Sequence, residues 1–140
     1  AGFVTKSFSQ RYGIDYSETF SLVIKHSSLR LLFAYAATYD LRIHIVDEKS
    51  AFLHGELDEE VYMDQPPGFV SNSLSDYVCR MHRSIYGLKQ LARQWYKKKD
   101  QALKSLGFKP LLAYSNVYVR ITDGQIIIVA VYVDDIVIAT

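Results

Sequence analysis

The chain has 140 residues, with 16 Lys plus Arg against 15 Asp plus Glu for a formal net charge of +1, and it is 49% hydrophobic and 22% charged. This fits one domain with a buried core and excludes a wholly disordered chain; the single cysteine, Cys79, excludes an intrachain disulfide framework and fits a reducing compartment. The longest apolar run, Ile126 to Val133, falls far short of the roughly 18 residues a membrane span needs, and no basic-then-apolar leader opens the chain.

In chain order, Leu29, Leu32, Phe33, Ala36 and Ala37 recur on one helical face, and Ser27 or Ser28 precedes them as an N-cap, so a helix is expected over 28–39. Leu41, Ile43 and Ile45 alternate with Arg42, His44 and Val46, a half-buried strand that delivers Asp47 at its end. From His54 to Asn72 the sequence is acidic and carries Gln65-Pro66-Pro67-Gly68, so an irregular insertion is expected there. Val78 to Ile85 reads as a strand. Residues 91–106 read as a second helix with Trp95, Ala102, Leu103 and Leu106 on one side and Gly107 as its stop.

Asn116 to Ile121 and Gln125 to Val133 read as strands joined by the turn Thr122-Asp123-Gly124. Asp134-Asp135 forms a second turn, after which Ile136 to Ile138 resume strand character. With a strand placed in the opening segment, the order is strand, helix, strand, insertion, strand, helix and strand cluster. That order predicts an α+β fold, a mainly antiparallel sheet with helices on one face in a split βαβ arrangement. No repeat or linker divides residues 1–140. The start at Ala1 rather than Met, and the end at Thr140 within a strand-like segment, suggest a piece of something longer.

Charge is unevenly spread. Asp47 to Asp64 holds seven acids against Lys49, and Lys89 to Lys109 holds seven bases against Asp100. Such blocks are more often solvated faces than binding sites, and the overlap of the basic block with a helix makes it a weak pointer to a polyanion.

Tyr132-Val133-Asp134-Asp135 is preceded and followed by apolar strand residues. Two adjacent acids there must sit at a turn, because unpartnered carboxylates inside the hairpin would cost several kcal/mol. The plain alternative is a polar turn. The chemical alternative is a hard divalent cation held by the turn acids and the strand-end Asp47, since such ions take one or two carboxylates plus substrate phosphates. His26, His44, His54 and His82 have no ligand spacing with Cys79, so no competing zinc site is expected.

Four ordered segments carry a resemblance: Val46 to Gly55, Glu59 to Phe69, Tyr86-Gly87-Leu88-Lys89-Gln90 and Tyr132-Val133-Asp134-Asp135. Together they resemble the reverse transcriptase of copia-type LTR retrotransposons over essentially the whole chain. The resemblance implies the fingers and ferredoxin-like palm of an RNA-directed DNA polymerase, with the thumb, RNase H and integrase regions outside these residues. It implies two Mg²⁺ or Mn²⁺ ions held by Asp47, Asp134 and Asp135, with Asp47 and Asp134 as direct ligands and the backbone carbonyl of Glu48 assisting. Ser50 and Ala51 would offer backbone N–H groups to a deoxynucleoside triphosphate, Lys6 would reach the same triphosphate, and Phe52 would exclude a ribose 2′-OH. Gly87, Lys89 and Gln90 would pass beside template and primer, and Tyr132 would lie near the primer terminus. The implied partners are an RNA or DNA template with its primer, the nucleotide and the remaining Pol polyprotein, with no membrane, in cytoplasmic particles.

Several positions depart from the family pattern. Gly2 replaces an Arg, Leu22 a Pro, and Leu91-Ala92 a Ser-Pro pair, while Lys99 stands on the apolar helix face where an aromatic is usual. The ammonium of Lys99 must then snorkel out or be buried at a cost. Intact carboxylates beside altered supporting positions leave two classes open, a metal-dependent polymerase and a catalytically dead relic that at most binds nucleic acid. An RNA-recognition module is disfavoured, because no Lys/Arg-Gly-Phe/Tyr-Gly/Ala-Phe-Val stretch is present.

Overall fold

The computed structural model describes residues 4–21 and 24–140; Gly2 and Leu22 therefore lie outside the described residues. The elements are α1 (His26–Thr38), β1 (Ile43–Asp47), β2 (Glu56–Met63), β3 (Cys79–Arg83), α2 (Leu91–Ser105), β4 (Lys109–Leu111), β5 (Tyr114–Thr122), β6 (Gln125–Tyr132) and β7 (Asp135–Ala139), with 3-10 turns at Ser7–Ser9 and Ala51–His54. The main sheet has the order β1-β7-β6-β5-β4 and is antiparallel throughout. Strands β2 and β3 form a separate antiparallel pair.

Local chemistry explains most boundaries. Helix α1 ends in a Schellman arrangement: Asp40 takes φ +52, and the N–H of Leu41 donates to the carbonyl of Ala36 at 2.9 Å. Helix α2 ends in the same way, with Gly107 at φ +84 and the N–H of Phe108 donating to Leu103 at 3.1 Å. Phe108 and Leu103 also pack together, the apolar contact that usually accompanies the motif. Asp123 and Gly124 both have positive φ between the paired Thr122 and Gln125, the turn geometry that suits the twist of a hairpin.

Four expectations need correction. The described part of the opening segment contains no strand, only a 3-10 turn and a bridge between Tyr12 and Tyr16. Helix α1 begins before Ser27 and Ser28, which lie in its first turn, so neither is the N-cap; Lys25 occupies that position without a side-chain capping bond. The acidic stretch from His54 to Asn72 is not irregular throughout, because Glu56–Met63 pairs with β3 through a register shift between Glu56 and Val61. Two of its alternating acids, Glu56 and Asp58, reach Lys98 and Lys97 of α2, which packs against the strand.

The helices, finally, lie on opposite faces of the sheet rather than on one. Leu32 and Ala36 of α1 pack with Val117, Ile128, Ala130, Val137 and Ala139. Leu103 of α2 packs with Tyr118, Val129 and Val131. Alternate residues of β6 thus belong to different cores, which is what the two-residue period of a strand requires when both faces are covered. That burial on both sides makes β6 a nearly continuous apolar run instead of an alternating one.

Candidate active site

Strand β1 ends at Asp47 and β7 begins at Asp135, and the register sets these two residues directly opposite each other. Asp135 is also opposite Tyr132 on β6. Side chains at paired positions share a face, so Asp47, Asp135 and Tyr132 project from the α1 side of the sheet. Asp134 occupies the turn just before them, and its carbonyl accepts the N–H of Glu48 at 3.2 Å. The hairpin brings all three predicted acids and Glu48 to one corner of the sheet. Asp47 and Asp135 are exposed, and Asp134 is half-buried.

The turn that carries Asp134 is backed from the other face. Val133 has φ +57, a left-handed conformation that a β-branched residue adopts only when its surroundings impose it. The buried indole of Trp95, on α2, donates through Nε1 to the carbonyl of Val133 at 2.9 Å. The sequence marked Trp95 only as a core residue, since no spacing rule reveals a carbonyl as its partner. His26, at the start of α1, places its ring 5.7 Å from that of Tyr132. Glu48 also faces His54, with Oε1 3.8 Å from Nε2.

Among the described residues no group of three or more His, Cys, Asp or Glu side chains is gathered tightly enough to hold a metal ion. The arrangement is instead a facing pair, Asp47 and Asp135, with Asp134 beside it. An oxygen-only, solvent-accessible pair of this kind fits a hard divalent ion, which takes one or two carboxylates and completes its shell with water or phosphate. It does not suit a soft ion, which needs thiolate ligands.

The other predicted residues divide into two groups. Ser50 adopts φ +60 and its carbonyl accepts the N–H of Leu53 at 2.8 Å, which starts the 3-10 turn from Ala51. Half-buried Phe52 meets Tyr86 edge-on at 6.0 Å, and its carbonyl accepts the hydroxyl of the buried Ser84 at 2.6 Å. Gly55 lets α2 approach, because a Cβ there would lie 2.8 Å from Gln94 Cβ and 2.8 Å from Ser84 Oγ. Ser84 did not stand out in the sequence, and Gly55 did so only as the end of the segment from Val46.

Gly87, Lys89 and Gln90 instead fasten the opening segment. A Cβ on Gly87 would lie 2.3 Å from the carbonyl oxygen of Thr5, whose N–H donates to Tyr86 at 2.8 Å. The fully buried Gln90 accepts from Gln10 at 3.0 Å and donates to the carbonyl of Asp15 at 2.9 Å. Lys89 reaches the carbonyl of Gln10 and stands 4.9 Å from the centre of the Tyr16 ring. Lys6 borders a cleft of about 550 Å³ together with Asp64, Gln65 and Pro66, and none of Asp47, Phe52, Asp134 or Asp135 lines it.

The basic block is not a free cationic face. Lys97 pairs with Asp58, Lys98 with Glu56 at 2.7 Å, Arg93 with Glu18 and Lys104 with Asp100 at 2.7 Å. The ammonium of Lys98 holds the Glu56 carboxyl below its usual range, and that of Lys97 does the same for Asp58. The acidic and basic blocks of the sequence therefore meet along β2 and α2.

The profile of the family described as reverse transcriptase (RNA-dependent DNA polymerase) matches residues 1–140. The chain belongs to that family. The chain is similar to the retrovirus-related Pol polyprotein from transposon TNT 1-94 of Nicotiana tabacum, 44% identical over 139 residues, which cover 99% of this chain and 10% of the relative. It is 45% identical over 138 residues to the corresponding polyprotein from transposon RE2 of Arabidopsis thaliana, with 99% and 10% covered. The Ty1-MR1 Gag-Pol polyprotein of Saccharomyces cerevisiae is more distant, at 27% over 137 residues with 94% and 7% covered. The chain spans about a tenth of the length of the plant relatives. No solved structure matches it. The high-coverage plant matches bear out the copia-type LTR retrotransposon resemblance. Among the described residues no helix of the chain is long and apolar enough to cross a membrane.

Proposed function

We propose that these residues form the fingers and palm of an RNA-directed DNA polymerase that extends a primer on an RNA or DNA template. The observation that carries the proposal is the register of β1 against β7, which sets Asp47 opposite Asp135 beside the Asp134 turn. The split βαβ palm is supported by topology: β1 and β6 run parallel with β7 between them, and α2 lies in the connection.

In this reaction the primer 3′-oxygen forms a bond to the α-phosphorus of a deoxynucleoside triphosphate, and the bond from that phosphorus to the bridging oxygen breaks to release pyrophosphate. Two divalent ions, when bound, would supply the charge that favours the attacking alkoxide and the leaving pyrophosphate. Asp47 and Asp134 would hold them as direct ligands, with Asp135 and the Glu48 carbonyl alongside. Backbone N–H groups of Ser50 and Ala51 would orient the triphosphate, with Lys6 as a further charge. Phe52 would bar a 2′-hydroxyl, and Tyr132 would border the primer terminus. Gly87, Lys89 and Gln90 would act on template and primer through the loop that they fix to the opening segment. The remaining Pol polyprotein would complete the enzyme within cytoplasmic particles.

A second reading, a relic that keeps the fold without turnover, is favoured by one observation, the buried ammonium of Lys99 in the helix that backs the hairpin. Primer extension on poly(rA)/oligo(dT) with Mg²⁺ or Mn²⁺, by Pol protein carrying these residues, separates the two. Incorporation that is lost in an Asp134→Asn, Asp135→Asn variant supports the polymerase. A folded, template-binding protein with no incorporation leaves the relic.

A further inference from the structure

The hairpin between β6 and β7 turns through Val133 and Asp134 alone, since Tyr132 and Asp135 are paired across it. Val133 has φ +57, and Asp134 has no positive φ. This is the φ pattern of a type II′ turn; a type I′ turn needs positive φ at both central residues. The first central position of a type II′ turn favours glycine, and a β-branched residue there is strained. The two turns differ chiefly by half a rotation of the peptide between the central residues. That peptide is planar, with the Val133 carbonyl on one side and the Asp134 N–H on the other. The direction of the carbonyl therefore sets the plane from which the Asp134 side chain projects.

A distant part of the chain fixes that direction. The buried indole of Trp95 donates through Nε1 to the Val133 carbonyl at 2.9 Å. The helix that carries the indole is itself held in place. Gln94, next to Trp95, is buried, its Cβ fills the space that Gly55 leaves open, and its Nε2 donates to Asp58 at 3.3 Å. The peptide on the other side of Asp134 is fastened too, because its carbonyl accepts the N–H of Glu48 at 3.2 Å. Both peptide planes that meet at Asp134 are thus held, one from α2 and one from the residue after β1. Rotating the first of them would turn the Val133 carbonyl away and leave the buried indole N–H without a partner, which opposes the change.

We propose that Trp95 is a positioning residue whose indole N–H selects the type II′ form of the Val133-Asp134 turn and so aims the Asp134 carboxylate at a divalent ion shared with Asp47. This rests on the reading that Asp47, Asp134 and Asp135 hold such an ion. Trp95 touches neither ion nor substrate and acts through a single carbonyl. Its contribution is geometric, since a ligand held in one direction by its own backbone need not be ordered when the ion arrives.

Trp95 is the only tryptophan of the chain, so growth on a tryptophan analogue alters this position alone. Benzothienylalanine keeps the fused ring and puts sulfur in place of the N–H, whereas 7-azatryptophan keeps the N–H. NMR of the isotopically labelled chain, first without metal, reads the turn. The benzothienyl form is expected to show a strong Overhauser contact between the amides of Val133 and Asp134, which a type I′ turn brings together and a type II′ turn holds apart; the natural and 7-aza forms should lack it. Mn²⁺ is then titrated and followed by the broadening of the amides of Asp47, Asp134 and Asp135, with an Asp134→Asn, Asp135→Asn variant as the baseline. Binding about tenfold weaker is expected in the benzothienyl form, as for the loss of one hydrogen bond, and equal binding in the other two. Equal binding in all three forms would overturn the role of Trp95 and leave the ion site standing. Weaker binding with the turn unchanged would also overturn it, because the effect would not pass through the peptide. Mn²⁺ that broadens none of these amides in the natural chain would sink the ion site itself, and the role of Trp95 with it.

Discussion

Lys99 offers the sharpest test of the packing. Its side chain is buried in α2, with the ammonium 5.3 Å from the centre of the Tyr96 ring. Burial lowers its pKa from 10.5 to about 8, with Asp100 pulling the other way. A lysine depressed from 10.5 to about 8 costs the folded state about 3 kcal/mol wherever both states are protonated, at roughly 1.4 kcal/mol per pH unit. Below pH 8 that cost is fully present. Between pH 8 and 10.5 the unfolded chain keeps a proton that the folded chain has released. Unfolding then takes up a proton, and stability rises with pH.

Tyr118 acts in the opposite sense, because burial and its bond to Asp100 raise its pKa above 10, so the unfolded chain loses that proton first and stability falls above pH 10. The two effects place the alkaline maximum near pH 10. Lys99→Met removes the first titration and forfeits about 1 kcal/mol of cation–π attraction. A net gain of about 2 kcal/mol is expected at neutral pH, shrinking to nothing by about pH 10. Urea unfolding followed by the fluorescence of Trp95 at several pH values reads both, and in the difference between the two proteins the remaining titrations cancel. A gap that stays constant with pH, or a wild type that is the more stable at neutral pH, would refute the reasoning.

Three further outcomes follow from single contacts. Trp95→Phe keeps a six-membered aromatic ring but removes the pyrrole half of the buried indole together with the donor to the Val133 carbonyl, and should cost about 2–4 kcal/mol in thermal unfolding followed by circular dichroism; a loss of only a few tenths would contradict the backing of the turn by this side chain. Gly87→Ala sets a Cβ 2.3 Å from the Thr5 carbonyl at φ +97, so a loss of about 2–4 kcal/mol is expected, with earlier proteolytic cleavage in the opening segment; equal cleavage of both proteins would contradict the clamp. Lys97→Ala combined with Lys98→Ala removes two bases already paired with Asp58 and Glu56. Stability should fall by less than about 1 kcal/mol per pair, and the salt dependence of oligonucleotide binding should not change. A slope shallower by about 2 would show that both lysines meet phosphate after all.

Elements written in local chemistry were legible in the sequence. The Asp123-Gly124 turn, the stop at Gly107 and the strand that ends on Asp47 each depend on residues within a few positions of one another. The meeting of Asp47 with the distant Asp134-Asp135 turn is not local, and only the resemblance of the four segments to one family pointed to it. What was hidden depended on distant partners. The acidic and basic blocks each look like solvated faces until β2 and α2 are brought together, and then Asp58 and Lys97 neutralise each other. Gln90 and Lys89 carry no mark showing that Gln10, Asp15 and Tyr16 will use up their hydrogen bonds. The placement of the helices was missed because an apolar run such as Ile126 to Val131 permits either one covered face or two. The split of β6 between two cores decides it.

Asp47 sits on an exposed edge strand of the sheet. All five residues of β1 are exposed, Ile45 to 67%, and among the described residues β1 lies at one end of the strand order, paired with β7 alone. A short edge strand with little buried apolar area opens at a free energy below that of global unfolding. The Asp47 and Asp135 pair is therefore only as well formed as the β1 and β7 ladder. A divalent ion held across the pair would bind the closed ladder and not the open one, so it would raise the opening free energy. At a concentration about 100-fold above its Kd the gain is about 2.7 kcal/mol, or roughly 100-fold slower amide exchange. Hydrogen exchange with and without Mg²⁺ should show that slowing in β1 and in the start of β7, little change in β5, and none in an Asp134→Asn, Asp135→Asn variant. Unchanged exchange in β1 at saturating Mg²⁺ would mean that the ion is held without Asp47, and the facing pair would lose its place as the centre of the site.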